Sequence, residues 1–498
     1  MERIGKLLGI RDKIYARHVF IALCISLVVA LGAVLFRNPG SWMDEQSHYY
    51  RAIQISNGDV YKNDNGNMAL FGGMVSENQQ SFMDYFIKNG PNHTFGLYPL
   101  SEVGKLQYSE KNRFQAATNA VPYHPLVYFP YVLIALLNKI LHLTPATEFI
   151  FMRLSGLTFA FFVLILSIRI MPFSKWTIAA LSLHPTILLT NSAISADVFT
   201  NVSIVFFVAC LTKVTYKVAK FKSFQKLDAI QIGISIILVS LAKVPAFLII
   251  ISVFPMLYFA NKEKLTSRFI NIFLLFTLFF SILCSLLLIV LIKDVNTGAY
   301  FGRNVNTFKQ LSHIFSNIFK FIGMYLREIF SYDYTVIQLG YAEEVTYQNP
   351  PILVSLLYYV AYGLSWLYQE KEYRVTKIDI KKFNLIQIGK IFSFFAIILS
   401  TFLILYLQFS LVGSDIIEGV QQRYFIAYSL LLLSFIPNIA KLKRTFLNGI
   451  VFVIFDVFYR FGYNGIGEMF VRPERFATPF HIADTRNAVH YGLVVTVV

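Results

Sequence analysis

Apolar stretches recur along this chain at about 19–36, 126–140, 149–168, 176–190, 196–212, 229–260, 269–292, 351–368, 386–412, 424–440 and 446–459. A helix needs about 20 mostly apolar residues to cross the hydrocarbon of a bilayer. Most of these stretches approach that length. The run 229–260 is too long for one span and is interrupted by Ala242-Lys243-Val244-Pro245. It predicts a hairpin of two short helices with Lys243 at the tip. The pattern gives roughly eleven to twelve transmembrane helices.

Polar stretches separate them. The longest are 37–123, rich in Gly, Asn, Pro and aromatics, and 293–350. Loops beyond about 15 residues are uncommon unless functional or disordered, and aromatic content argues against disorder. The first is therefore expected to be ordered, with short helices lying on the membrane.

Lys and Arg gather in short clusters between apolar segments: Lys213, Lys217, Lys220, Lys222 and Lys226; Lys262, Lys264 and Arg268; Lys371, Arg374, Lys381 and Lys382. Such clusters mark cytoplasmic loops. Residues 37–123, 293–350 and 413–422 are then extracellular, and 213–228, 261–268 and 369–385 cytoplasmic. An odd number of the four segments between 123 and 213 must span under this scheme. One of the two shortest, 126–140 or 176–190, is expected to dip into the membrane or lie along it.

Composition supports this class. Apolar residues make up 56% of the 498, charged residues 14%, where a soluble domain carries about a quarter charged residues. The formal net charge of +16 follows from the loop clusters and does not call for nucleic acid. The basic start, with Arg3, Lys6, Arg11, Lys13 and Arg17, leads into the apolar stretch 19–36 with no small-residue cleavage site after it. That predicts a retained anchor with the N-terminus in the cytoplasm of a multi-pass cell-membrane protein. Cys24, Cys210 and Cys284 all fall in apolar segments and form no ligand spacing. The chain divides into a basic N-terminus, 1–18, a transmembrane domain, 19–445, and a last apolar segment with an atypical tail, 446–498. No Lys occurs from 445 onward. Such a shift marks a separate tail, a shifted reading frame or a diverged terminus, and carries no functional assignment.

The candidate chemistry sits in the extracellular stretches. Residues 42–52 read Trp-Met-Asp-Glu-Gln-Ser-His-Tyr-Tyr-Arg-Ala, just past the first span. Carboxylates at a membrane edge are costly and are functional candidates by default, although a solvated loop would also carry them. The same side holds Asp197 and Lys243. It also holds Arg303, Arg327, Glu328, Asp333, Glu343 and Glu344, and then Asp415, Glu418 and Arg423. Structural roles exist for several of these. Ser195-Ala196-Asp197 reads as a helix N-cap. Lys243 reads as a snorkelling lysine, and Arg423 as a head-group contact at a helix edge. The functional alternative is a reaction on a lipid-linked substrate. A carboxylate deprotonates an acceptor hydroxyl, and Lys and Arg hold a phosphate. The Asp44-Glu45 pair could instead hold a divalent cation through oxygen ligands. His48, three residues after Glu45, would share its helical face, and two ligands are too few for structural zinc.

Five segments carry a resemblance. They are Met43-Asp44-Glu45-Gln46-Ser47-His48-Tyr49-Tyr50-Arg51-Ala52; Tyr123-His124-Pro125-Leu126-Val127-Tyr128; His184-Pro185 with Ser195-Ala196-Asp197; Ala242-Lys243-Val244-Pro245; and Gly419-Val420-Gln421-Gln422-Arg423-Tyr424-Phe425. In this order they resemble a bacterial family of multi-spanning membrane proteins of unknown function, itself similar to the type-C (GT-C fold) glycosyltransferases. Met43 stands where the family has proline, and Gln422 where it has glycine. The resemblance implies an all-helical GT-C-like bundle with a long first extracellular loop. It implies an inverting transfer of a sugar from a polyprenyl-phosphate or polyprenyl-diphosphate carrier to a cell-envelope glycan acceptor. By it Asp44 is the general base, Glu45 supports it or binds metal, and Asp197 is a second acid. Lys243 and Arg423 face the carrier phosphate, and His48, Arg51 and Tyr424 complete the substrate site. Membrane lipids are the other expected partner. The pattern specifies no cofactor; a divalent cation is the one candidate, and the metal stays undetermined. A transporter or flippase of lipid-linked sugars, or a non-catalytic component of polysaccharide assembly, are the other classes the same groups would serve.

Overall fold

The computed structural model describes residues 2–42, 44–64, 67–89, 105–292, 295, 305–330, 360, 362–368 and 380–434. Expectations for Arg303, Asp333, Glu343, Glu344, most of 351–385 and the tail 446–498 lie outside the described residues. The chain is an all-α membrane bundle with one small sheet.

Helix α1 spans Glu2–Leu8 and α2 Lys13–Phe36, capped by Asp12, whose Oδ1 accepts from Ile14 and Tyr15 N–H. The buried face of α2 mixes small residues, Ala16, Ala22, Ser26, Ala30 and Ala33, with Tyr15, Val19, Leu23 and Val34, while Val28 and Leu35 are exposed. Small residues let helices approach closely where apolar burial drives nothing in lipid. The Ser26 hydroxyl donates to Ser182 O at 2.7 Å across that contact.

The described residues of the first loop hold more than helices. They carry α3 (Glu45–Ser56), β1 (Lys62–Asp64), β2 (Asn67–Ser76), α4 (Glu77–Asn89) and β3 (Asn112–Ala116), the strands forming an antiparallel sheet in the order β1-β2-β3. Gly72 pairs with Ala116, and a Cβ there would lie 2.0 Å from Gln115 O. Only glycine permits that approach.

A 3₁₀ turn, Pro125–Tyr128, then leads into α5 (Phe129–Leu141), followed by α6 (Pro145–Ile170), α7 (Lys175–Ser182), α8 (Pro185–Asn191) and α9 (Ala196–Phe221). Thr144 caps α6, accepting from Thr147 N–H, with Pro145 in the first turn. The segment 176–190 is the one of the four that is not a continuous helix. It breaks at His184-Pro185, where His184 caps α8. Helix α9 runs through the middle of the bundle, with nearly its whole length buried.

The hairpin over 229–260 forms as α10 (Lys226–Ala242), a 3₁₀ run Val244–Ser252 and α11 (Val253–Lys262), with Lys243 between them in extended backbone. Pro245 lacks an N–H and cannot continue the α10 ladder. Helix α12 (Arg268–Leu291) follows, then α13 (Thr307–Ser316) and α14 (Ile318–Ile329), then α15 (Ile380–Gln408). Among the described residues six helices are long and apolar enough to cross a membrane, and Pro125–Leu141 is a shorter apolar helix. Segments 351–368 and 424–440 are only partly described. The described part of the latter holds 3₁₀ turns, Gln422–Tyr424 and Ala427–Leu431, rather than an α-helix.

Candidate functional site

The two adjacent acids of the first loop part company. Asp44 holds φ 60°, the left-handed region, at the N-cap position of α3, yet its side chain makes no capping bond. Left-handed backbone at a non-glycine residue persists only where its surroundings hold it. Here the carboxylate is turned away from the helix. Oδ1 accepts from Asn119 Nδ2 at 2.8 Å and Oδ2 from Arg423 at 2.8 Å.

Glu45 enters the interior and is fully buried. Arg153 of α6 clasps it bidentately, Nε to Oε1 at 2.8 Å and a terminal nitrogen to Oε2 at 2.7 Å. Gly40 and Ile194 each donate a backbone N–H to it at 3.1 Å. Burial pushes the Glu45 carboxyl up, but the Arg153 and Arg37 guanidinium groups with the Ile194 N–H together outweigh this and hold it below the ordinary carboxylate range. Glu45 thus ties together the end of α2, the start of α3, α6 and the turn before α9. It stands in a different ion pair from Asp44.

Arg423 is the hub of the other set. Its side chain is 1% exposed, and it reaches Asp44 through one nitrogen and Asp197 Oδ2 through Nε at 3.0 Å. Asp197 in turn pairs with Lys243 at 2.5 Å. Ser195 caps α9, accepting from the Asp197 N–H, so the Asp197 side chain is left for these two cations. Arg423 follows Gly419, which turns at φ +79° and whose absent Cβ would meet Phe409 at 2.6 Å. Lys243 Nζ lies 4.1 Å from the centre of the Tyr424 ring and 5.4 Å from that of Tyr123. Four segments far apart in sequence therefore converge: the start of α3, the start of α9, the break after α10 and the Gly419–Tyr424 turn. Of the four charged side chains, Asp44 is the most accessible at 32%, against 16% for Lys243 and 3% for Asp197.

His48 backs this cluster. The Tyr128 hydroxyl donates to Ala120 O, so it accepts from His48 Nδ1 at 2.7 Å, which leaves Nε2 as the basic nitrogen. Burial pushes the imidazole down to about 4, against the pull of Asp44 and Asp197. The ring is neutral at pH 7. Arg51 faces elsewhere: it donates to Asp59 O and Val60 O and lies over the Tyr61 ring, bracing the loop.

Sequence reasoning placed Asp44, Asp197, His48, Lys243, Arg423 and Tyr424 as candidates, and the fold brings these together. Glu45 and Arg51 lie apart from them. It missed Asn119, Tyr123 and Arg153 as members or supports. Arg153, a charge inside an apolar segment, was the readable signal. Among the described residues no group of three or more His, Cys, Asp or Glu could hold a metal ion. Asp44 and Asp197 both face cations and Glu45 is saturated by Arg153, so these residues do not fit a divalent ion.

Comparison with known proteins gives one result. The family described as predicted membrane protein (DUF2142) matches residues 27–432, well over half the chain and inclusive of every residue of this cluster. No curated protein matches, and no solved structure does.

Proposed function

We propose that this chain, which belongs to the DUF2142 family of predicted membrane proteins, is an inverting glycosyltransferase of GT-C type. It would act at the extracytoplasmic face of the cell membrane with its N-terminus in the cytoplasm. The observation that carries the reading is the convergence of one accessible carboxylate, Asp44, with two cations, Arg423 and Lys243, that a buried Asp197 holds in place.

The chemistry follows from those positions. The acceptor hydroxyl gives its proton to Asp44 as its oxygen bonds to the anomeric carbon of a polyprenyl-phosphate-linked sugar. The bond from that carbon to the phosphate oxygen breaks on the opposite face, and the lipid phosphate leaves with the electron pair. Arg423 and Lys243 stabilise the charge that develops there, one as a planar fork and one as a point charge. Asp197 orients both cations. Neutral His48 and Tyr123 line the site without adding charge.

Purified protein in proteoliposomes, supplied with a synthetic polyprenyl-phosphate sugar, tests this. Asp44→Asn keeps the shape and tolerates the left-handed backbone. It should bind the donor and lose about 10²–10⁴ in transfer rate, the usual cost of losing a general base. Arg423→Ala should bind the donor poorly. Full transfer by Asp44→Asn would refute the role. For the orientation, a single cysteine at Lys220 should resist an impermeant reagent in intact cells, and labelling there would invert the topology.

One observation favours a second reading. Two apolar segments are interrupted, α7–α8 at His184-Pro185 and, at the site itself, α10–α11 at Lys243-Pro245. Broken helices around a charged site are a feature of transporters. A flippase for lipid-linked sugars would move donor across vesicles with Asp44→Asn intact, whereas the transferase would not.

A further inference from the structure

Helices α13 and α14 each leave one face uncovered. On α13 it carries Phe308 and Phe315, 85% and 76% exposed, and on α14 it carries Phe319, Ile322 and Leu326, with Phe319 at 87%. The spacing is one or two helical turns within each helix, so each set forms a single stripe. Phe330, just past α14, continues it at 76%. The two helices are 10 and 12 residues long, too short to span.

Their other faces are fastened to the segment that leads to Arg423. Gln310, fully buried, donates to Tyr406 O and Leu411 O and accepts from Gly413 N–H at 2.8 Å. Arg327 donates to Asp415 O at 2.6 Å, and Glu328 accepts from Ile417 N–H at 3.3 Å. Lys320 pairs with Asp415 in water-exposed positions. The pair packs against the end of α15, through Ile314, Met324 and Ile329 on Phe402 and Tyr406, and α15, long and apolar enough to span, exposes Phe392, Phe395 and Leu399 along its length.

We propose that the α13–α14 pair is an interfacial anchor: its aromatic stripe is seated in the bilayer leaflet on the side of the candidate site. The pair thereby fixes the Gly413–Arg423 segment at head-group depth. The occupant is lipid because the pair is docked on a helix long and apolar enough to span and the stripe's polar edge carries Lys309, Lys320 and Arg327, cations suited to lipid phosphates. Such helices bury their apolar face about 5–10 Å into the head-group and acyl boundary. The inference builds on the proposed function in one respect: a lipid-linked donor keeps its phosphate at that same depth, where Arg423 awaits it.

The test reads depth, not transfer, so it stands or falls apart from the transferase reading. Full-length protein in nanodiscs carries bimane at Phe319→Cys or, as a second reporter, Phe308→Cys, with the labelled parent as control for the native cysteines. Lipids brominated at the top of the acyl chain should quench both probes more than lipids brominated at its end, and aqueous iodide should quench them weakly. A third probe, at Ile416→Cys, should report head-group depth and shift toward iodide access when Phe315→Asp and Phe319→Asp are added. Strong iodide quenching at Phe319, strongest quenching by chain-end bromine, or shielding from both by another protein copy would each overturn the proposal. So would an Ile416 probe that does not move.

Discussion

Removing the Glu45 carboxylate should unfold this protein more readily than any change at its neighbour Asp44. Glu45→Ala takes from the fully buried Arg153 guanidinium the carboxylate that clasps it bidentately, leaving its bonds to Val34 O, Arg37 O and Asn38 O. Arg37, 3.9 Å from the same carboxylate, loses it too. Breaking a buried ion pair by deleting one member costs about 3–5 kcal/mol. The Gly40 and Ile194 N–H groups lose their acceptor, at about 1–3 kcal/mol each where water does not replace it. The loss is then about 5–11 kcal/mol, comparable with the whole margin of about 5–15 kcal/mol that folded domains carry. Thermal unfolding of detergent-solubilised protein, followed as the surviving monodisperse fraction, reads it out. Glu45→Ala should give little folded protein, while Asp44→Asn, whose side chain is 32% exposed and which leaves Arg423 paired with Asp197, should cost less, about 1.5–3 kcal/mol. Adding Arg153→Leu to a Glu45→Leu variant should recover part of the loss, since the orphaned charge goes with its partner. The recovery is incomplete because three carbonyls lose a donor. Glu45→Ala melting like the parent, or strict additivity in the double variant, would refute the reasoning.

Acid should weaken the fold through His48. Burial holds the folded imidazole at about 4 against an ordinary 6.5, so the unfolded chain binds more protons between those values. Stability therefore falls as pH drops from 6.5 to 4. Melting curves across that window should be shallower in His48→Gln than in the parent, with the remaining slope left to histidines elsewhere that burial also lowers. Lys390, buried in α15, donates only to the Thr212 and Ser434 hydroxyls among the described residues. No acid balances it there, so Lys390→Met should unfold no earlier than the parent. A clear drop in its melting temperature would show that the ammonium has a partner of its own.

Those predictions mark where one-dimensional reading reaches and where it ends. The helical class was legible because spans are long apolar runs, and lipid enforces that pattern strictly. The break at Lys243 was legible too, since the run 229–260 is too long for one span and Lys243 with Pro245 marks its weakest point. The sheet of the first loop was not. Its second strand, Asn67–Ser76, shows no alternation, and its pairing rests on Gly72 meeting Gln115 more than forty positions along, a long-range fact without a local signal. The stripes of α13 and α14 were there to be read at periods of three, four and seven, but charges in the same stretch made it look like an ordinary polar loop. The sharpest case is Asp44 against Glu45. As letters they are interchangeable acids at adjacent positions. Which of them faces Arg423 and which faces Arg153 follows from the left-handed backbone at Asp44. That conformation turns its side chain off the helix, and Glu45, the first residue of the regular α3, points inward to α6. One backbone dihedral separates the accessible carboxylate of the site from the buried one that holds the fold together, and no pattern of residue types encodes that angle.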